Sequence, residues 1–274
     1  MNVAFIGGGN MATALIGGLV NQGADTREFR VVEPMPEQQD KLSGQFPGLG
    51  LFGEVSVGAI DGADLVVLAV KPQQMRVATR ALAPYIVHVP AVMSIAAGVR
   101  LADISRWLDG YSRLVRAMPN TPALIGEGIS AAYALPDAGP RGHKLAQRTL
   151  EAAGEMLWVA NEDMLDAVTG VSGSGPAYLF YFLEGLEQAA KELGFTPADA
   201  RRLAYATFAG AIKLAQASEF EPAILRVQVT SKGGTTERAI ATMEEGGVKA
   251  TVIRAVKAAA ERAKELGDAF GADA

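Results

Sequence analysis

Short apolar runs recur through the first half of the chain, each closed by small or turn-forming residues and followed by an amphipathic stretch. Val3–Ile6 is the first such run; it ends in Gly7-Gly8-Gly9-Asn10, ahead of a helix predicted over Met11–Val20. Phe29–Glu33, Asp64–Val70, Val92–Ile95 and Leu114–Ala117 repeat the pattern, and Ile129–Ala134 and Met156–Val159 complete it. Helices are predicted between strands at Glu37–Phe46 and Arg141–Ala153. Unbroken apolar strands are buried on both faces, as in parallel sheets. Their regular alternation with helices predicts a doubly wound α/β sheet.

Past about Asn161 the strand signals stop and helical periodicity takes over. Ser174-Gly175-Pro176 opens a helix in which Ala177–Leu186 is apolar on nearly every face. Such a helix is buried all round, and in so small a segment it implies packing against a second copy. Thr196-Pro197-Ala198-Asp199 starts another helix with an N-cap and an early acid, running to about Ala217. Glu219–Val229 is a shorter helical piece, followed by helices at Glu237–Glu245 and Thr251–Leu266 and a frayed tail, Gly267–Ala274. The chain thus divides into residues 1–160 and an all-helical 161–274.

The first turn carries the clearest chemistry. Gly7, Gly9 and Ala12 fit the pattern G-x-G-x-x-G/A between a strand and a helix. There the first glycine makes the turn, the second admits a pyrophosphate, and the small third residue lets helix pack on strand. Residues 1–160 therefore read as a Rossmann-type dinucleotide-binding domain. Glu33 lies about 20 residues on, where an acid can hold the ribose 2′-OH of NAD; the alternative is a solvated strand-end carboxylate. Lys71, held extended by Pro72, and the exits Ala96-Ala97-Gly98 and Met118–Pro122 fall at the same sheet edge. Lys71 is read as structural or cofactor-facing before general acid. Late in the chain, Ser231-Lys232-Gly233-Gly234-Thr235-Thr236 joins two glycines, hydroxyls and a helix start. That composition suits a small carboxylate, although an ordinary capped helix start has the same appearance.

Composition narrows the field. The net charge of −5 argues against a nucleic-acid binder. No run approaches the roughly 18 apolar residues of a membrane span, and the N-terminus reads as a strand rather than a signal peptide, so the cytoplasm is expected. Without cysteine, and with only His88 and His143 as histidines, thiolate metal sites and a Ser-His-Asp triad are not expected. No metal is anticipated.

The motifs resemble those of the Δ1-pyrroline-5-carboxylate reductases from end to end. The likeness rests on Phe5–Met11 (FIGGGNM), Ala69–Pro72 (AVKP), Ser94–Gly98 (SIAAG), Met118–Pro122 (MPNTP), Ala167–Tyr178 (AVTGVSGSGPAY) and Thr230–Thr236 (TSKGGTT). It implies reduction of the cyclic imine 1-pyrroline-5-carboxylate to L-proline, the last step of proline biosynthesis, by hydride from NADPH or NADH. The cofactor would lie along Phe5, Ile6, Gly7, Gly8, Gly9, Asn10, Met11, Ala69, Val70, Lys71, Pro72, Ile95, Ala96 and Ala97. Glu33, Pro34 and Asn120 join that set, as does Ser56, which stands where many relatives have a longer asparagine. Ser231, Gly233, Gly234 and Thr235 would receive the substrate carboxylate, Thr236 would hydrogen-bond the ring nitrogen as the catalytic group, and Glu162 and Glu219 match acids near the substrate. The helical domain of the family forms an intertwined homodimer, often built into a decamer. Two rival readings are a β-hydroxyacid dehydrogenase and a non-catalytic dinucleotide-sensing dimer. The first should carry a catalytic Lys with an Asn four residues on, early in its second domain. The segment SGSGPAYLFYFLEG has neither.

Overall fold

The computed structural model describes residues 1–272. Strand β1 (Val3–Ile6) lies inside an eight-stranded sheet. On one side it pairs with β2 (Phe29–Val32), and beyond that lies β3 (Gly50–Phe52). On the other side it pairs with β4 (Leu65–Leu68), then β5 (Ala91–Ser94) and β6 (Leu114–Met118). All these pairings are parallel, and the order β3-β2-β1-β4-β5-β6 reverses direction of growth between β1 and β4. In an open α/β sheet ligands bind at that switch, beyond the carboxyl ends of the strands.

Every residue of β1, β4 and β5 is buried, which is why these strands read as unbroken apolar runs. Alternate residues serve two cores. Phe5, Val31, Val67 and Met93 pack with Leu15 of α1 (Asn10–Asn21), Leu42 of α2 (Pro36–Gln45) and Leu150 from farther along the chain. Ile6, Val66 and Val92 pack on the other face with Ile60 of α3 (Val57–Ile60), Leu82 of α4 (Met75–Leu82) and Ile104 of α5 (Leu101–Trp107). Each fully buried side chain of this kind contributes roughly 1.5–3 kcal/mol.

The sheet is not wholly parallel, contrary to the sequence reading. Strand β7 (Gly128–Ala134) runs antiparallel to β6, and β8 (Gly154–Trp158), reached through α6 (Gly139–Glu151), follows β7 in parallel. The reason is the connection. Between β6 and β7 the chain makes only a 3₁₀ turn, Thr121–Ile125, and a left-handed Gly126 (φ 76°). A parallel return needs a crossover of about a dozen residues, usually a helix.

After α7 (Met164–Val168) and a π-helical turn, Thr169–Gly173, the chain enters helices α8 (Gly175–Glu192), α9 (Pro197–Gln216), α10 (Pro222–Gln228), α11 (Thr235–Glu245) and α12 (Val248–Ala272). Two compact units result: residues 1–174 with the segment from Lys257 onward, and residues 175–256. The expected cap on α9 is present. Thr196 Oγ1 accepts from the Asp199 amide (3.2 Å) and donates to its Oδ2 (2.7 Å).

One expectation for the helical half, the frayed tail, needs correction, whereas the exposed face of α8 is what packing against a second copy requires. No residue of α8 is buried in the single chain, and Phe180 and Tyr181 are 58% and 75% exposed. The apolar girdle is there, but one chain does not cover it. Of the tail, residues 267–272 are not frayed, for α12 continues to Ala272; Asp273 and Ala274 lie outside the described residues. Gly267 lies against the backbone of Gly98, Gly271 against the Asp103 carboxylate, and Arg100 pairs with Asp268 at 2.7 Å. Two glycines four residues apart let this last stretch approach the start of α5 closely.

Candidate active site

The carboxyl edge of the sheet gathers most of the cofactor candidates. Phe5 and Ile6 are the buried last residues of β1. Gly7 follows with φ +99°, its N–H donating to Val32 O at 2.8 Å, and a Cβ there would stand 2.8 Å from Ala69 O. Only glycine adopts that backbone this close to β4 without strain. Gly9 is different, because a Cβ there would meet nothing within 4 Å. Open space above Gly9, and a helix α1 that starts at Asn10 with no side-chain cap and no acid in its first turn, suit an incoming pyrophosphate. Ala12 is fully buried, as the fingerprint requires. Met11 is half-buried on the first turn of α1.

Glu33 is not a free strand-end carboxylate. Its Oε2 accepts the Gly8 N–H and its Oε1 the Met35 N–H, both at 3.0 Å, while Gln38 Nε2 donates to Gly8 O at 2.6 Å. The acid is thereby fixed against the glycine turn, next to the exposed Pro34. Across the switch, Ala69 N–H donates to Ile6 O (2.8 Å); Val70 is half-buried, and exposed Lys71 precedes a 3₁₀ turn beginning at Pro72. Ile95 donates to Leu68 O (3.2 Å), Ala96 to Ser94 Oγ (3.3 Å), and Ala97 leads into Gly98 at φ +78°. Ser56 sits ahead of α3, beyond the carboxyl end of β3 and so on the same edge. Asn120 is only 8% exposed and its amide is engaged by the chain. Its Oδ1 accepts from Ile129 N–H (2.9 Å) and its Nδ2 donates to Ser172 O (3.2 Å).

The substrate candidates fall in the other unit, apart from Glu162. Gly233 takes the left-handed conformation (φ 71°), Gly234 N–H donates to Ser231 O (3.0 Å), and α11 begins at Thr235 without a side-chain cap. Glu237 Oε2 reaches back to accept the Gly233 N–H at 2.6 Å, stiffening the turn. Thr236 is half-buried in the first turn of α11, and Glu219 is exposed between α9 and α10. The turn is a formed one, and α11 opens from it with Thr235 and Thr236 in its first turn, where helix N–H groups lack internal partners.

Glu162 belongs to the sheet unit and faces inward. Its Oε1 accepts from Leu101 N–H (2.8 Å) and from Arg116 Nη1 (3.1 Å), while Arg116 Nη2 pairs with Asp166 Oδ1 at 2.9 Å. Neither Arg116 nor Asp166 was anticipated. The signal was present, since Leu-Val-Arg-Ala-Met places one cation inside a buried strand, and a buried charge needs a partner.

The comparisons with known proteins agree with this geometry. Residues 162–266 match the family described as pyrroline-5-carboxylate reductase dimerisation, and residues 2–98 match NADP oxidoreductase coenzyme F420-dependent. A pyrroline-5-carboxylate reductase of Pseudomonas aeruginosa is 43% identical over 269 residues, 98% of each chain. The chain belongs to the pyrroline-5-carboxylate reductase family. A family member from Arabidopsis thaliana is 35% identical over 96% of this chain and 95% of its own. Among solved structures, the Coxiella burnetii pyrroline-5-carboxylate reductase superposes with TM-score 0.89 at 38% identity, covering 97% of this chain and 98% of that one. The Plasmodium falciparum pyrroline carboxylate reductase, solved with NADP bound, gives TM-score 0.87 at 25% identity with the same coverage.

Proposed function

We propose that this chain reduces 1-pyrroline-5-carboxylate to L-proline with NADH or NADPH. The observation that carries the reading is the glycine turn at the β1/β4 switch, open at Gly9 and closed at Gly7, in a chain that belongs to this family along its whole length. The bound dinucleotide supplies a hydride. Residues 1–160 take the cofactor role and 161–274 the substrate and dimerisation roles.

The chemistry asks little acid–base work of the protein. A protonated imine is already electrophilic and becomes a neutral amine when hydride adds to its C=N carbon, so no base has to remove a proton as an alcohol dehydrogenase requires. What remains is placement, worth roughly 7–11 kcal/mol of barrier when reacting atoms are well oriented. The Ser231–Thr235 turn would hold the carboxylate through the first N–H groups of α11, since those of Gly233 and Gly234 already donate to Glu237 and Ser231. Thr236 would hold the ring nitrogen through its hydroxyl. Thr236→Ala is expected to lower kcat/KM by about 1.5–3 kcal/mol, roughly tenfold to more than a hundredfold. Parent-like kinetics in steady-state assays would remove Thr236 from the mechanism.

The uncovered face of α8 supports a homodimer, which the resemblance extends to a decamer. Phe180→Glu with Tyr181→Lys is expected to shift the chain to monomer in sedimentation, because charge replaces the apolar centre of that face. An unchanged sedimentation coefficient would place the interface elsewhere. Among the described residues no helix is long and apolar enough to cross a membrane, and the cytoplasm is the compartment this reading assigns. The activity itself is tested by mixing chain, NADH and 1-pyrroline-5-carboxylate. Imine-dependent loss of nicotinamide absorbance is expected, and none with β-hydroxyacids and NAD; binding of NADH without turnover would favour a sensor.

A further inference from the structure

We infer that Glu162, held by Arg116, is a positioning residue for the dinucleotide-facing loop Ile95–Arg100 and not a ligand of the substrate. The inference rests on the reading of the sheet edge as the dinucleotide site.

That loop joins β5 to α5 and has two fixed ends. At the first, Ile95 N–H donates to Leu68 O, the last residue of β4. At the second, the chain enters α5 at Leu101, whose N–H is among those a helix start leaves without an internal partner. The residue in the N-cap position, Arg100, provides no side-chain cap; its guanidinium is turned to Asp268 instead. The cap comes from Glu162, a carboxylate 61 positions farther on, at 2.8 Å. Between the two ends lie Ile95, Ala96 and Ala97, and then Gly98, pressed against the backbone of α12 near Gly267. With both ends and the bend held, the loop has one shape to offer a ligand.

The charge arrangement explains how a partly buried carboxylate can serve as a cap. Arg116 lies in β6 opposite Ser94 of β5 and is 2% exposed. Its guanidinium divides between Glu162 and Asp166, at 3.1 and 2.9 Å. A fork that geometry fixes holds each carboxylate in one orientation. Glu162 Oε1 therefore carries two donors at once, Arg116 Nη1 and the Leu101 N–H. A substrate reaching that oxygen would have to displace one of them. Asp166 in turn occupies the other arm of Arg116, so this cation is not offered to a substrate carboxylate.

The test compares Glu162→Ala and Glu162→Asp with the parent by NADH fluorescence titration without substrate, and by the KM for 1-pyrroline-5-carboxylate at saturating NADH. Alanine removes the cap. Aspartate keeps the charge beside Arg116, protects folding, and withdraws the oxygen from Leu101 by one methylene. The expected result is a rise in the NADH Kd of about tenfold for Ala and about threefold for Asp, with the imine KM within about twofold of the parent. Glu162→Gln, which keeps the acceptor, should restore the NADH Kd to within about twofold. An unchanged NADH Kd in both Ala and Asp variants overturns the inference, whatever the imine KM does. A tenfold rise in the imine KM alone would return Glu162 to the substrate. Because the titration needs no imine, a parent that binds NADH without reducing the imine would sink the proposed function and leave this comparison standing.

Discussion

Gly7→Ala and Gly9→Ala, two residues apart in one turn, are expected to fail in different ways. At Gly7 a methyl group must accept φ +99° and stand 2.8 Å from Ala69 O, against backbone that cannot swing aside. Strain of this kind costs about 1–3 kcal/mol before the clash is added. Thermal unfolding should therefore show a loss of roughly 2–4 kcal/mol. The NADH Kd should rise as well, since the turn must move to relieve the contact. At Gly9 the backbone is ordinary (φ −71°) and a Cβ meets nothing within 4 Å. Stability there should stay within about 0.5 kcal/mol of the parent. The methyl group nevertheless fills the space this reading gives to the pyrophosphate, and NADH binding should fall roughly 10–100-fold, the equivalent of overpacking by about 1.4–3 kcal/mol. A Gly9→Ala chain that binds NADH like the parent would remove the glycine turn from the cofactor site.

The second large effect concerns the choice between dinucleotides. Glu33 has one carboxylate oxygen held by the Gly8 N–H of the turn and the other by the Met35 N–H ahead of α2, so it cannot rotate away from a 2′-phosphate. That phosphate brings nearly two negative charges. Arg30, the cation in the same strand, spends its guanidinium on Asp61 O. At about 5 Å and an effective dielectric near 20 the repulsion would be about 7 kcal/mol as an upper bound. Solvent at this half-buried position reduces it to about 1.5–3 kcal/mol. The parent is expected to use NADH at least as well as NADPH. Glu33→Ser should raise the NADPH to NADH ratio of kcat/KM by roughly 10–100-fold. The ratio is the proper readout, because losing the Gly8 contact affects both cofactors alike. A parent preferring NADPH by a hundredfold would contradict this account of Glu33.

Most of the sheet was legible because its strands are buried on both faces. Val3–Ile6 and Leu65–Leu68 are apolar throughout and have no other explanation at that length. Strand β3 and helices α3 to α5, three to eight residues long, are too short for periodicity to show. The direction of β7 depended on what lies before it; Pro119–Glu127 reads as turn and not as a crossover helix. The tail reads as frayed because it is a chain end, while in the fold Gly267 lies against the loop before α5 and Gly271 against Asp103 of α5. On the site side, motifs placed the edge loops but not what their side chains touch. In sequence terms Glu33 is an acid at the cofactor edge and Glu162 an acid near the substrate. In the fold one is fastened to the glycine turn and the other to Arg116 and the start of α5, contacts that no motif spacing encodes.

The central claim is that hydride passes to the imine carbon of a ring acid held by its carboxylate. Turnover of 1-pyrroline-5-carboxylate with NADH deuterated at the transferring position of nicotinamide C4, followed by NMR of the product, tests it directly. One deuterium per L-proline, at the δ carbon that was the C=N carbon, is the predicted result. Deuterium at the α carbon, unlabelled proline, or NADH bound with no proline formed would contradict it.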